Sequence, residues 1–310
     1  MVLAYEKVAT EMDRRSLITG TLATIVVPSA VAELIKHGFS SALNKRASVE
    51  EWLDKTQNYG TGYMQVGASE MQSRLASDLV VLQQNLEHPQ LWGVAARLMT
   101  VYGKTLPSNE GNSGAIEWYR LAAVLADRSE DNDMRVWVRG RAALALAYEG
   151  ASLRFANDLA NQAIGIDEKP SLGRLNALVA RAHVAGHRGD TKEALKALRA
   201  SERVADVALS EVLVSDFAVP EWRYHTFTSM LLSRLGLPEA EHAQDQADQT
   251  RPSTLPRFAT HIELHRALMM VKQGDRDAGI SYARTALDKL PPENRSLSLK
   301  LMMNEIKNTI

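Results

Sequence analysis

No cysteine occurs in the 310 residues. That excludes disulfides, a zinc ribbon, an iron–sulfur cluster and a thiol nucleophile, and leaves the redox compartment open. Aromatic residues make up only 6%, and strand-forming runs are almost absent. An excess of charge of one sign is missing too: 36 Lys and Arg stand against 37 Asp and Glu, for a net charge of −1. No bulk positive field exists to hold a phosphate backbone, so direct nucleic-acid binding by this chain is not expected. What is present is apolar material, 45% of the residues, with Ala, Leu, Arg, Glu and Gln dominant. This composition excludes disorder for most of the chain and reads as all-α.

Internal periodicity sets the expected architecture. Segments 143–164, 183–202, 229–248 and 267–287 share one grammar. A helical stretch ends at a turn glycine (Gly150, Gly189, Gly236, Gly274), and a small residue follows four to six positions on (Ala156, Ala194, Ala240, Gly279). Proline closes three of the units at Pro170, Pro252 and Pro291. A glycine at the helix end supplies the left-handed C′ position. The small residue lets a second helix approach the first, and proline stops that helix. Glycine-to-glycine spacings of 39, 47 and 38 residues exceed the roughly 34 of a minimal tetratricopeptide unit, so longer helices or inter-repeat loops are expected.

A fifth pair reads upstream, with helix 89–105 (Leu91, Ala95, Leu98, Met99, Tyr102), a turn-rich loop at 107–114 and helix 113–128 (Ala115, Tyr119, Ala122, Ala123, Ala126). Helix 68–87 is amphipathic through Met71, Leu75, Leu79, Leu82 and Leu86, and 296–310 suits a C-terminal cap that shields the last apolar stacking face. The expected fold is an all-α, tetratricopeptide-like right-handed superhelix of antiparallel helix pairs. It comprises an N-terminal helical segment (1–60) continuous with a repeat domain (61–310). Residues 13–32, with Arg14 and Arg15 before a weakly apolar stretch, have two readings: a twin-arginine export signal, or a short helix packed on the first repeat. The stretch is too short and polar to span a bilayer, so no membrane association is expected.

The string RLMTVYGKTLPSNEGNSGAIEWYRLAAVLADRSEDNDMRVWVRGRAALALAYEG, and PRFATHIELHRALMMVKQGDRDAGISYARTALDKLPPE after it, resemble the tetratricopeptide-like region of actinobacterial helix-turn-helix regulators of the xenobiotic-response-element type. The resemblance covers about residues 6–306. It implies a cytoplasmic regulatory region, the arginine pair marking the junction with a DNA-binding head. No helix-turn-helix precedes Arg14, so the family's DNA-contacting residues have no counterpart in this sequence.

In superhelices of this type the first helix of each pair lines a concave groove where partners bind. The repeat frame places Arg141, Asn176, His183, His187, Trp222, His225, Ser229, His261, His265 and Lys272 on that surface. Five histidines and a few cations there suit an anionic or amide-rich guest: a peptide, a small signal molecule or a partner protein. Those histidines would make binding pH-dependent. His261/His265 and His183/His187 have i, i+4 spacing, yet Glu263 stands in the wrong place for H-E-x-x-H and no third ligand is visible, so no metal is expected. Gly60, Gly62 and Gly67 lack nucleotide-loop spacing and read as a loop between helices. No cofactor and no catalytic set emerges; Met269, Met270, Met302 and Met303, with Trp92, Trp118 and Trp137, read as packing residues. The leading reading is a ligand-sensing regulator and not an enzyme. An enzyme with a pocket inside the superhelix and a homodimeric scaffold are the alternatives.

Overall fold

The computed structural model describes residues 47–106 and 114–309. The arginine pair with stretch 13–32, and most of the loop expected at 107–114, lie outside the described residues. Thirteen α-helices and two short 3-10 turns account for the regular structure there, with no strand. The helices are α1 (Val49–Gln65), α2 (Ala68–Leu82), α3 (Pro89–Gly103), α4 (Gly114–Arg128), α5 (Asn132–Glu149), α6 (Leu153–Ile166) and α7 (Leu172–His187). They continue with α8 (Thr191–Ala208), α9 (Glu221–Leu235), α10 (Glu239–Thr250), α11 (Pro256–Lys272), α12 (Arg276–Asp288) and α13 (Leu297–Asn308). The boundary expected near residue 60 falls within α1, which runs unbroken. None of these helices is long and apolar enough to cross a membrane.

The repeat grammar translates into one turn used four times. Gly150, Gly189, Gly236 and Gly274 all have positive φ, between 70° and 102°. After each, the next amide closes a 6→1 bond: Ala151 to Leu146 (2.9 Å), Asp190 to Ala185 (3.0 Å), Leu237 to Leu232 (3.0 Å) and Asp275 to Met270 (3.0 Å). These are Schellman closures, which satisfy carbonyls that a helix end leaves without partners. Starts are fixed by side chains: Ser48 and Glu51 form a capping box at α1, and Asp131, Ser171, Asp190 and Ser296 cap α5, α7, α8 and α13.

Five helix pairs form hairpins, α3/α4, α5/α6, α7/α8, α9/α10 and α11/α12, the last four folded over these glycine turns. The first helices also pack on one another in chain order, and α13 covers α11 and α12. Small residues hold the spacing: Ala156, Ala194 and Ala240 are fully buried, and a Cβ on Gly279 would lie 2.6 Å from Val271. The closest crossing is between α5 and α7, where a Cβ on Gly140 would sit 2.1 Å from the Gly173 carbonyl oxygen. Only hydrogen fits there, because the obstacle is backbone.

The inner side of this row is not left open as the repeat frame suggested. Helix α1 packs on α3 and reaches both the segment 209–220 and the start of α11. Asp216 N–H donates to the Gly60 carbonyl (2.8 Å), and Arg257 donates to the carbonyls of Tyr63 (2.6 Å) and Val66 (3.3 Å). At the far end Arg234 of α9 grips Glu305 of α13 (2.6 and 2.9 Å) and reaches the Tyr148 carbonyl of α5 (3.4 Å). The extra length between the second and third turn glycines is this inward segment, 209–220.

Gly140→Ala is expected to lower unfolding stability by about 3 kcal/mol or more, because neither helix can retreat without opening the core. Gly165→Ala, at an exposed helical site where a Cβ meets nothing within 4 Å, is expected to be neutral or to raise stability by about 0.5–1 kcal/mol. Urea denaturation of the two variants checks both; a tolerated Gly140→Ala would show that the crossing is looser than described.

Candidate functional site

Where α1, α2, α5, α9, α11 and the start of α13 converge, they line a cavity of about 110 Å³. A cavity of this size accommodates several waters or a small organic molecule. Its apolar wall includes Met71, Leu144 and Phe227, with Tyr63, Tyr148 and Phe258. Its polar wall is made by Lys104, Arg141, Arg223 and Arg257, with His261, Glu149 and the serines Ser296 and Ser298.

Behind the cationic wall stands Asp216, whose side chain is fully occluded. One oxygen, Oδ1, accepts from Lys104 Nζ (2.5 Å), Arg141 Nη2 (2.8 Å) and Arg223 Nη2 (2.7 Å). Arg223 also donates through Nη1 to the carbonyls of Ser215 (2.9 Å), Asp216 (3.2 Å) and Ala218 (2.7 Å), so the segment is wrapped around its guanidinium. Gly60 of α1 makes room for this segment, since a Cβ there would lie 2.6 Å from both Phe217 and Ser215. Gly60 and Gly62 are therefore interior residues of α1 and not a loop; Gly67 alone lies between helices, as the N-cap of α2.

Electrostatics follow from this geometry. Burial alone would raise the Asp216 carboxyl, but Arg141, Lys104 and Arg223 outweigh it and hold the group well below the usual carboxylate range. Burial, with Arg141 and Arg223 beside it, pushes the Lys104 ammonium well below its ordinary value against the pull of Asp216. Burial also lowers Arg223, whereas at Arg141 burial is outweighed by Asp216 together with Tyr63 and Tyr119, and the net shift is upward. Tyr63 lies under Lys104 (3.8 Å from Nζ to ring centre), and burial with Asp216 nearby pushes its phenol up to about 12. Arg141 Nε, Arg223 Nε and Asp216 Oδ2 are buried with no hydrogen-bond partner among the described residues.

A second polar chain reaches the cavity from the core. Ser229 Oγ lies 2.6 Å from His265 Nδ1, His265 Nε2 lies 2.9 Å from Tyr148 Oη, and Tyr148 Oη lies 3.2 Å from His261 Nδ1. Ser229 also donates to the Thr226 carbonyl (3.0 Å). Because a hydroxyl has one hydrogen, Ser229 must accept from His265 Nδ1–H, and the direction propagates: Tyr148 donates to His265 Nε2 and accepts from His261 Nδ1–H. That assignment makes His261 Nε2 a lone-pair acceptor, on a residue that lines the cavity. Ser229 and His265 are fully buried, so the pair is a core hydrogen bond with no access for a substrate.

Of the ten positions expected on the inner surface, Arg141 and His261 line the cavity. Asn176, His183, Trp222, Ser229 and His265 are buried between helices instead. His183 takes its place between the Phe227 carbonyl (3.1 Å) and Arg234 (3.1 Å), and Trp222 donates to the Leu213 carbonyl (3.0 Å). His187 donates to the Ala147 carbonyl (3.0 Å), His225 is half-buried 3.7 Å from Glu221, and Lys272 is exposed. The frame identified the inward helices but not that a later segment would cover most of their inward side. Lys104, Asp216, Arg223 and Arg257 were not singled out in the sequence. The available signal was Asp216 within the mostly apolar stretch VLVSDFAVP, in the longest inter-glycine interval.

Histidine neutrality has a measurable consequence. Burial first, then Arg234, pushes His183 well below its ordinary value and His187 down to about 4; burial and Arg257 push His261 down to about 3, and burial also drives His265 well down. In the unfolded chain these groups protonate near 6.5. Below that pH the unfolded state binds more protons, so stability is full above about 6.5 and falls by about 1.4 kcal/mol per pH unit for each histidine. Asp216 and Glu305, with carboxyls held low in the fold, withdraw their contribution only below about pH 4. Urea midpoints should decline steadily from about pH 6.5 to about pH 4.5; a flat profile over that range would contradict buried, neutral histidines. Separately, Asp216→Asn leaves three buried cations around a neutral amide and should cost about 3–5 kcal/mol in the same assay.

Compared with protein-family models, curated proteins and solved structures, the chain matches none.

Proposed function

We propose that this chain is a cytoplasmic regulatory protein of the tetratricopeptide-like helical-repeat class, a right-handed superhelix that senses a small molecule in its central cavity and transmits the change to a partner. The observation that carries this reading is the cavity itself: a wall with four buried or half-buried cations, set at the meeting point of six helices. Buried polar groups of this kind are costly unless something pairs with them. The cavity also touches both the early helices α1 and α2 and the late helices α11 and α13. A guest there contacts distant parts of the chain at once, which is how small shifts between stacked hairpins are gathered into one movement. The resemblance to repeat regions of helix-turn-helix regulators agrees with such a role.

A second reading, an enzyme, is favoured by His261, a neutral base on the cavity wall. Against it, Asp216 is occluded and held in three ion pairs, which leaves Glu149 as the carboxylate on the cavity wall.

Hydrogen exchange of the full chain, with and without the small-molecule fraction of a cell extract, tests the sensor. Slower exchange is expected in 209–220 and at the start of α13, and Ala145→Leu, which fills the cavity from α5, should abolish the response while remaining folded. No change in the wild type, or an undiminished response in Ala145→Leu, would sink the reading. Mass spectrometry of the same incubation separates binder from enzyme, since a sensed ligand is recovered unaltered.

A further inference from the structure

From the charge and shape of the cavity wall we infer that its ligand is a small organic oxyanion, a carboxylate or phosphate carried on an apolar body of aromatic size. This deepens the sensor reading and rests on it.

Four cations line the cavity: Lys104, Arg141, Arg223 and Arg257. Against them stand Glu149 on the wall and Asp216 behind it, so the formal excess is two positive charges. Lys104, Arg141 and Arg223 are each more than nine-tenths buried as side chains, and all three share a single carboxylate oxygen. One anion does not offset three desolvated cations, and a like-charge cluster away from water is unfavourable unless further negative charge comes to it. Arg141, Arg223 and Arg257 bring three guanidiniums to the residues that line the cavity. A guanidinium on such a wall is suited to an oxyanion, because its fork matches carboxylate and phosphate geometry.

The remainder of the wall specifies the body attached to that charge. Tyr63, Tyr148, Phe227 and Phe258 present rings, and Met71 and Leu144 fill the gaps between them. A bare inorganic anion would leave this surface uncovered. An engineered cavity of about 150 Å³ binds benzene; the 110 Å³ found here is smaller, so it takes no more than one ring or a short alkyl chain and excludes a folded peptide. His261 Nε2 adds an acceptor to the wall, available to a hydroxyl or amide donor on the guest.

Calorimetric titration of the full chain with a matched set tests the inference. Phenylacetate and phenyl phosphate carry both ring and oxyanion; benzyl alcohol keeps the ring without charge, benzylammonium reverses the charge, and acetate and inorganic phosphate keep the charge without the ring. At least one of the first two should bind at least tenfold more tightly than the other four, and which of them does so identifies the head group. Arg257→Gln, outside the Asp216 cluster, should weaken that binding at least fivefold, and Ala145→Leu should remove it, with thermal midpoints showing both variants folded. Equal binding of benzyl alcohol would overturn the anion assignment while leaving the cavity a ligand site. Equal binding of acetate or inorganic phosphate would overturn the apolar body. If no compound in the set binds, the oxyanion inference falls, and the extract experiment decides the sensor reading on its own.

Discussion

The arrangement depends on one oxygen atom. Asp216 Oδ1 draws together Lys104 from the end of α3, Arg141 from α5 and Arg223 from α9. Those helices belong to different hairpins, and Lys104 stands 112 positions from Asp216 in the chain. A neutral side chain at 216 would leave three cations facing one another in the core. With the carboxylate present, the segment 209–220 is drawn inward, α1 packs against it, and the inner side of the row of hairpins is filled.

The rest of the structure is arranged so that this cluster can be buried. Arg223 spends its Nη1 on three backbone carbonyls of the segment, Arg97 stacks on Trp137 and Phe217 (5.1 and 5.0 Å), and Lys104 rests on Tyr63. Charge is thus held by rings and carbonyls as well as by its counter-ion, which offsets part of the desolvation cost. The neutral chain Ser229–His265–Tyr148–His261 meets the same cavity from the opposite side. In place of the exposed titrating groove that histidine content suggested, the histidines are internal hydrogen-bonding parts, and their protons matter to stability at acid pH.

Much of the fold was legible before any coordinates. Gly150, Gly189, Gly236 and Gly274 marked four helix ends because only glycine takes the left-handed conformation at no steric cost. Ala156, Ala194, Ala240 and Gly279 marked where helices touch, since larger side chains would hold the axes apart. Gly140 and Gly173 were equally informative and passed unremarked: their role requires knowing that α5 and α7 cross at those two positions. The candidate site was legible only in part. Arg141 and His261 lie on inward faces of repeat helices, which periodicity can find. Lys104 ends a helix, Asp216 sits in an irregular segment and Arg257 opens α11, and no periodic pattern points to such places.

Sequence by itself determined that the chain is helical, where four helices end at glycine turns, and which small residues let them pair. These are local matters, set by caps, glycine turns and 3.6-residue spacing within one or two turns of helix. Tertiary structure alone decided that the inner side is filled, that Asp216 meets three cations, and that a cavity with an excess of positive charge remains. Those facts depend on contacts between residues tens to hundreds of positions apart, and a buried ion cluster leaves no period in the sequence because its members share a location and not a spacing.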